Sequence, residues 1–259
     1  MYKALRTAAS GMQAQQRKID VTANNIANAN TTGFKSSRAE FQELLYEKTR
    51  NAGDPNAGGA PTNLEVGSGV RTAATQKSFS QGNLEATDNP LDIAVEGNGF
   101  FKVVQQNGQP AYTRVGSFRV DANGQIVNAD GLQLEPNINV PEEATSITIG
   151  RDGRVSVVMA DDPAEVEIGQ LELANFANPA GLDSLGRGLF AETVASGPER
   201  MGLPGEGSTG ALSQGYLETS NVEVTEEMIS MIVSQRSYEL NSKVIRTADE
   251  MLQSTTNIR

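Results

Sequence analysis

The sequence predicts an α+β protein: a discontinuous N- and C-terminal helical coiled-coil domain with an inserted antiparallel all-β domain. Three observations support this fold class. Both ends of the chain carry apolar residues at seven-residue spacing, which is typical of paired amphipathic helices. The middle shows short alternating runs separated by Asn-Gly and Asp-Gly, the dipeptides that favour β-hairpins. Stretches rich in Gly, Pro and Ser separate these regions and indicate linkers.

Residues 1–34 are predicted to supply the N-terminal helix of the terminal domain. The helix is expected over 3–28, with Gly11 as its single glycine, followed by an exit at Thr32-Gly33. The apolar positions of this helix are Leu5, Met12, Ile19 and Ile26. Positions four residues later, such as Ala9 and Ala23, are small or polar, which permits a close helix neighbour but buries little apolar surface. We therefore expect this helix to need partners.

The middle of the chain is predicted to hold two connections and the β domain. Residues 35–71 are expected to be a linker or extended arm, in which 36–50 form either a short helix or extended chain. Residues 72–200 are predicted to form the antiparallel β domain, a sandwich or irregular barrel. Residues 201–220 are predicted to be the return linker. The expected turns are Gly97-Asn98, Asn123-Gly124, Asp130-Gly131 and Asp152-Gly153, and one strand is expected over 112–120.

Residues 221–259 are predicted to form the C-terminal helix. Its seam residues are Val224, Met231, Tyr238, Ile245 and Leu252. Ser220 and Glu223 are expected to form a capping box at its start. Apolar residues off the seam, such as Leu240 and Val244, favour packing against neighbouring copies of the chain, since a helix that is apolar on more than one side needs more than one neighbour. Purely intramolecular packing of these stripes is the alternative.

The composition excludes several kinds of chemistry. The chain has no Cys, His or Trp, which excludes disulfides, thiolate and imidazole catalysis and Cys/His metal sites. Its formal charge is −11, and the acidity is concentrated between the two ends, which argues against nucleic acid as a partner. Adjacent carboxylates such as Glu142-Glu143 are interpreted as solvated surface. We therefore predict no enzymatic activity, with no catalytic, cofactor or metal site and no small-molecule substrate.

The beginning of the sequence predicts where the protein goes. Residues 1–12 lack the apolar core and the small-residue cleavage site of a secretory signal peptide. No apolar run approaches the length of a transmembrane helix. We therefore expect a protein that is either cytoplasmic or exported by a dedicated machine without a cleavable signal.

Several sequence strings resemble one family of proteins. The strings Ala8–Met12, Asn24–Asn28 and Thr32–Lys35 are similar to the N-terminal signature of the bacterial flagellar axial proteins, which are the rod, hook and hook-associated proteins. Val95–Phe101 and Tyr112–Phe118 also resemble the rod and hook proteins. Gln214–Val222 resembles the signature that precedes the C-terminal helix in this family. The resemblance covers nearly the whole chain in the right order.

The resemblance implies a structural subunit of the distal rod of the flagellar basal body. Such subunits would assemble helically into a rigid hollow drive shaft that encloses the export channel and transmits motor torque to the hook. The implied partners are other copies of the chain, the proximal rod proteins, the hook protein, the periplasmic and outer-membrane bushing rings and the export apparatus. The implied location is the basal body across the periplasm. The alternatives are a proximal rod or hook subunit, or more remotely a ligand-binding β domain with oligomerising helices.

Overall fold

The computed structural model describes residues 2–50, 62–160 and 164–257 of the chain. These residues form two compact units. The terminal unit comprises 1–27, 37–77 and 223–259, and the β unit comprises 28–36 and 78–222. An N-terminal helix, a large β domain and a C-terminal helix are all present, so the predicted α+β class is confirmed at this level. Part of the predicted linker, 51–61, lies outside the described residues.

The terminal unit contains two long helices, α1 (Tyr2–Ala27) and α2 (Val224–Asn257). They lie antiparallel, because Asn25 near the end of α1 bonds to Glu227 at the start of α2, and Gly11 lies against Asn241 farther along. The predicted capping box is wrong: α2 begins only at Val224, and the Ser220 hydroxyl instead accepts from the Val222 N–H at 3.3 Å.

The late start of α2 has a local cause in the residues just before it. The Asn221 side-chain oxygen accepts from the Ser36 N–H at 2.8 Å, and its amide nitrogen donates to the carbonyls of Ser78 and Ser80. These bonds hold the chain out of helical conformation up to this point. Glu226 and Glu227 then occupy the first turn, where the helix dipole favours negative charge.

The terminal unit also contains an antiparallel β ribbon. Strand β1 (Ser37–Glu43) pairs with β4 (Val70–Lys77), and β2 (Tyr46–Arg50) pairs with β3 (Leu64–Gly67). The extended alternative for 36–50 is therefore the correct one, and the short helix is not formed. Helix α1 contacts this ribbon, since the Val70 N–H donates to the Ser10 hydroxyl at 3.2 Å.

The β unit consists of antiparallel strands whose described pairings form one seven-stranded sheet, one three-stranded sheet and three two-stranded pairs. The strands are β5 (Leu84–Ala86), β6 (Ile93–Glu96), β7 (Phe101–Val104), β8 (Pro110–Thr113), β9 (Phe118–Val120), β10 (Ile126–Asn128), β11 (Gln133–Glu135), β12 (Ala144–Ile149), β13 (Arg154–Met159), β14 (Glu165–Gln170), β15 (Leu173–Asn175), β16 (Asp183–Gly186), β17 (Leu189–Ala191), β18 (Arg200–Gly202), β19 (Ala211–Gln214) and β20 (Tyr216–Glu218). The large sheet has the order β16-β17-β8-β7-β11-β10-β9, and the smaller one β12-β13-β14. A short 3-10 helix, Pro179–Gly181, precedes β16.

The predicted hairpin turns are present where the two paired strands are consecutive in the sequence. Gly124, Gly131 and Gly153 all have positive φ angles and lie between paired neighbouring strands, as the Asn-Gly and Asp-Gly signals require. Gly97-Asn98 is different, because β6 does not pair with β7. Strand β6 pairs instead with β19, which lies more than a hundred residues later in the chain.

A strand predicted over 112–120 is interrupted in the structure. Strand β8 ends at Thr113 and β9 begins at Phe118. Between them the side chain of Arg114 turns into the interior, where it is buried. Gly116 then passes so close to the Ile93 carbonyl that a Cβ there would lie 1.7 Å from the oxygen. The interruption therefore allows buried contacts of Arg114 and Gly116, which the alternation of apolar and polar residues along the sequence does not reveal.

The core of the β unit has two parts. The larger is a cluster of aliphatic and aromatic residues that includes Ile93, Phe101, Phe118 and Leu173. The smaller is aromatic, with Phe79 and Phe100 in edge-to-face contact at 5.4 Å and Tyr112 against Phe176 at 4.8 Å. This unit therefore buries its large apolar side chains within itself.

Candidate assembly site

The predicted seam residues of α1 lie along one side of the terminal unit. Leu5, Met12, Ile19 and Ile26 are all half-buried. The residues of α1 that are fully buried are smaller or polar: Ala8, Ala14, Thr22 and Asn25. Short side chains at the contact let α2 approach closely, so the longer apolar side chains lie at its edges and keep part of their surface exposed. The small residues expected from the heptad spacing, Ala9 and Ala23, each follow a buried residue by one position and are themselves less buried.

The predicted seam residues of α2 divide into two sets. Met231, Ile245 and Leu252 are half-buried, whereas Val224 and Tyr238 remain 41% and 39% exposed. The fully buried positions of this helix among the described residues are Ser234 and Ala248. Each lies three residues after one seam residue and four before the next, Ser234 between Met231 and Tyr238 and Ala248 between Ile245 and Leu252, which is the spacing of a helix–helix contact. The assignment of the nine seam residues to contacts between subunits stays a prediction.

A second apolar stripe on α2 lies beside this contact and is exposed. It consists of exposed residues at heptad-like spacing: Val233, Leu240, Val244 and Met251. At about 100° per residue, the stripe lies about a third of a turn from the seam. Met228, Ile229 and Ile232 extend the exposed apolar surface around the start of the helix. Exposed apolar surface of this kind is typical of a site of contact with another molecule.

Neither helix has the character of a membrane span. Within the described residues, no helical stretch is apolar enough over a sufficient length to cross a bilayer. The apolar stripe of α2 alternates with charged residues such as Glu239, Lys243 and Arg246. This alternation suits a helix that packs against other helices in water.

Asn25 connects three elements of the terminal unit. Its amide nitrogen donates both to the Ser37 carbonyl of β1 and to Glu227 Oε1 of α2, each at 2.8 Å. Its oxygen accepts from the Ser37 N–H at 2.9 Å. The side chain is 1% exposed, so a buried polar group with these partners holds α1, β1 and α2 in a defined arrangement.

A buried ion network lies in the β unit. Glu218 accepts from Lys35 Nζ at 2.6 Å through one oxygen and from Arg114 Nε at 2.9 Å through the other. The first oxygen also accepts from the Gly82 N–H at 2.9 Å, and Lys35 donates further to the Ser80 carbonyl at 2.8 Å. All three charged side chains are buried, so one carboxylate joins three distant parts of the sequence.

Arg114 is held from its other side by backbone carbonyls. Its guanidinium donates to Gly97 at 2.9 Å, Gly99 at 2.6 Å and Val95 at 3.3 Å. These bonds satisfy the donors that Glu218 does not reach, as a buried cation requires. The guanidinium therefore holds both the Glu218 carboxylate and the turn that follows β6.

The charges around Glu218 determine its protonation. Burial alone would raise the pKa of this carboxyl group, but the Arg114 and Lys35 charges and the bond from Lys35 overcome that effect and hold the pKa below its ordinary value of 4.5. Glu218 is therefore ionised at neutral pH. The network contains two cations and one anion, and its stability depends on that single carboxylate.

Sequence reasoning did not single out the three residues of the network. Each nevertheless stands within one of the strings that carry the family resemblance: Lys35 in Thr32–Lys35, Arg114 in Tyr112–Phe118 and Glu218 in Gln214–Val222. A charged residue among Gly and aromatic neighbours was the available signal. What the sequence could not show is that these three strings meet in one place.

The two units define a class of protein: a structural subunit whose β domain has its own core and is inserted in the sequence between two terminal helices. These helices leave apolar surface exposed. Comparisons with known protein families support this class. Residues 5–35 match the family described as "Flagella basal body rod protein". Residues 94–157 match "Flagellar hook protein FlgE/F/G D1 domain", and 213–258 match "Flagellar basal body rod FlgEFG protein C-terminal".

Full-length relatives lead to the same family. The chain is 48% identical over 263 residues to the flagellar basal-body rod protein FlgG of Borreliella burgdorferi, with 100% of this chain and 99% of that protein covered. It is 46% identical to FlgG of Caulobacter vibrioides, with 99% of each chain covered. It is 40% identical to FlgG of Bacillus subtilis, with 100% of each covered. The chain belongs to the flagellar basal-body rod protein family.

The family assignment decides two predictions made from the sequence, the structural role of the protein and its location. The interpretation of the chain as a structural protein of the flagellar basal-body rod, of the FlgG type that forms the distal rod, is confirmed. Its location is the flagellar basal body. The family is a structural one, and its other members include rod and hook proteins.

Proposed function

We propose that copies of this chain assemble helically into a rigid hollow rod through their terminal helices. In this proposal α1 and α2 pair as a coiled coil and line the channel through which flagellar subunits are exported. The β units face outward and carry lateral contacts. Torque passes from motor to hook because each modest helical contact is repeated along the polymer.

The observation that carries the proposal is the exposed apolar stripe of α2. Leu240 is 65% exposed, and Val233, Val244 and Met251 are exposed beside it at heptad-like spacing. Burying this exposed apolar side against another copy of the chain would contribute about 25 cal/mol per Å² of apolar surface. The family assignment makes a neighbouring rod subunit the natural cover.

The predicted division of labour follows from this proposal. Residues 1–34 and 221–259 would supply the helices of the assembly domain, 72–200 most of the inserted β domain, and 35–71 and 201–220 the chain between them. The strands β1 and β4 lie in the terminal unit, and β19 and β20 pair within the β unit. Leu5, Met12, Ile19, Ile26, Val224, Met231, Tyr238, Ile245 and Leu252 would be the residues of the helical seam. The subunit would have no enzymatic role.

The proposal also includes the partners that the family resemblance implies. The rod would join proximal rod proteins at one end and the hook protein at the other. It would turn within periplasmic and outer-membrane bushing rings. The chain would reach this place through the flagellar export apparatus.

The test is assembly of a stripe variant. Leu240→Asp combined with Val244→Asp places two charges on the exposed stripe, and we expect the purified chain to stay soluble and folded. Gln235→Asp is the matched control, because it adds a charge at an exposed position on another side of the same helix. Electron microscopy should show straight hollow tubes for wild type and control. Tubes formed equally well by the stripe variant would overturn the proposal.

A further inference from the structure

The apolar pattern of the terminal helices does not by itself choose how they align. Leu5, Met12, Ile19 and Ile26 recur every seven residues on α1, and Met231, Tyr238, Ile245 and Leu252 do so on α2. If one helix slides past the other by seven residues, apolar residues again face apolar residues. Such a slip moves the helix by about 10 Å at 1.5 Å per residue. Something other than these apolar residues must distinguish the observed alignment from the slipped ones.

Asn25 makes that distinction at one end of the helix pair. In the observed alignment its amide donates to Glu227 Oε1 at 2.8 Å while the side chain is almost completely buried. A slip of seven residues in one direction would place Ser234 opposite Asn25. A slip in the other direction would carry Asn25 past Val224, the first residue of α2. Either slip separates Asn25 from Glu227 and leaves part of a buried amide without its partner.

Gly11 makes the same distinction near the middle of the pair. A Cβ at this position would lie 3.0 Å from the side-chain nitrogen of Asn241, so the half-buried Asn241 fits closely against a residue without a side chain. After a slip of seven residues, Asn241 would face Ala4 or Lys18. Both residues carry a Cβ, and Gly11 is the only glycine between residues 1 and 27.

We infer that Asn25 with Glu227, and Gly11 with Asn241, set the register of α1 against α2. A polar residue at a helix contact can specify alignment in this way, because only one alignment satisfies it. In the proposed rod, which this inference builds on, a fixed register gives every copy the same combined helical surface. Asn25 and Gly11 thus act as positioning residues for assembly, whether or not they touch another subunit.

The register can be measured directly in the full-length chain. Because the sequence has no native Cys, spin labels at Ala23→Cys and Thr247→Cys would be unique, and both sites are exposed. The pulsed electron–electron distance between the labels reports register, since a slip of seven residues changes the axial separation by about 10 Å in either direction. The measurement is made on the soluble chain and on assembled material diluted with unlabelled chain.

We expect one distance for the otherwise unchanged labelled chain. Asn25→Leu combined with Gly11→Ala should add populations shifted by about 10 Å, because the apolar side chain accepts several alignments and the close fit at Asn241 is lost. A single unchanged distance in this variant would overturn the inference. So would the absence of a defined distance in the parent chain in both states.

A second pair of variants separates the register role from the bond between Asn25 and β1. Asn25→Asp puts a carboxylate against Glu227, and we expect slipped populations to appear. Adding Glu227→Gln restores a donor between the helices and should recover much of the native distance. If Asn25 acted only through Ser37, the change at Glu227 would recover nothing, and the register role would be refuted. Failure of the parent chain to form tubes would count against the proposed rod, while the distance in the soluble chain would still decide the register.

Discussion

The two units of this protein differ in what they bury. The β unit contains large side chains such as Phe101, Phe118 and Ile93 at essentially zero exposure. The buried residues described in the terminal unit are small or polar: Ala8, Ala14, Thr22, Asn25, Ser234 and Ala248. Fully burying a large apolar side chain contributes about 1.5–3 kcal/mol, so the β unit stabilises itself with many such residues.

The terminal unit keeps its large apolar side chains at the edges of contacts or on the surface. Met231 and Ile245 are half-buried, and Leu240 and Val244 are exposed. One chain thus combines a domain with a large apolar core of its own and helices that leave apolar side chains exposed, which neighbouring subunits would cover in the proposed rod. Substitutions should therefore affect the stability of the β unit very differently, from a large loss in its core to almost none at the helical seam.

The largest effect is expected in the aliphatic and aromatic core of the β unit. Phe101→Ala removes a fully buried ring that contacts Phe118 edge-to-face at 5.1 Å, and it should lower the free energy of unfolding of this unit by about 3–5 kcal/mol. Hydrogen exchange of amides in β7 and β11 measures the loss. Val166→Ala, at an exposed position, is the control and should change exchange little. Equal protection in both variants would contradict a self-contained core.

A somewhat smaller effect is expected at the ion network. Lys35→Met removes one of two cations from the buried carboxylate of Glu218, and we expect a loss of about 3 kcal/mol because Arg114 still compensates part of the charge. Arg151→Met removes a cation from the exposed pair with Glu96 and should change stability little, because solvent screens an exposed ion pair. Chemical denaturation monitored by exchange in the β unit compares the two. Similar losses would show that burial of the network is unimportant.

Acid should weaken the same network. The folded-state pKa of Glu218 lies below its ordinary value of 4.5, so the unfolded chain binds the proton first as pH falls. The contribution of this group is therefore complete above about pH 4.5 and is lost as pH decreases through the folded pKa. Stability of the β unit measured from pH 7 to pH 3 should fall more steeply in wild type than in Glu218→Gln. Parallel pH curves for the two proteins would exclude this role.

The smallest effect on the β unit is expected from the helical seam. Met231→Asp combined with Ile245→Asp should block assembly, because each substitution places a charge at a half-buried apolar position. The β unit should keep its exchange protection within about 0.5 kcal/mol, since neither residue belongs to it. Motility of cells that carry both substitutions would refute the seam assignment. A matching loss of protection in the β unit would show that the two units are not independent.

The candidate site could be predicted in part because helix periodicity is local information. Seven-residue spacing placed the helices correctly, and α2 begins within three residues of the predicted boundary. The spacing did not show that the closest contacts are made by Ala8, Thr22 and Ser234. Which side of an amphipathic helix lies deepest depends on the shape of its neighbour, and that neighbour is about two hundred residues away in the sequence.

The sequence by itself determined the α+β class, the two terminal helices and the hairpin turns at Gly124, Gly131 and Gly153, because backbone propensity and turn chemistry act over a few residues. Only the tertiary structure decided that β6 pairs with β19, that β4 belongs with the helices and that Lys35, Arg114 and Glu218 share one buried site. The physical reason is the same in each case. Strand partners and buried ion pairs are chosen by contacts between segments far apart in the chain, where no local pattern records which segments meet.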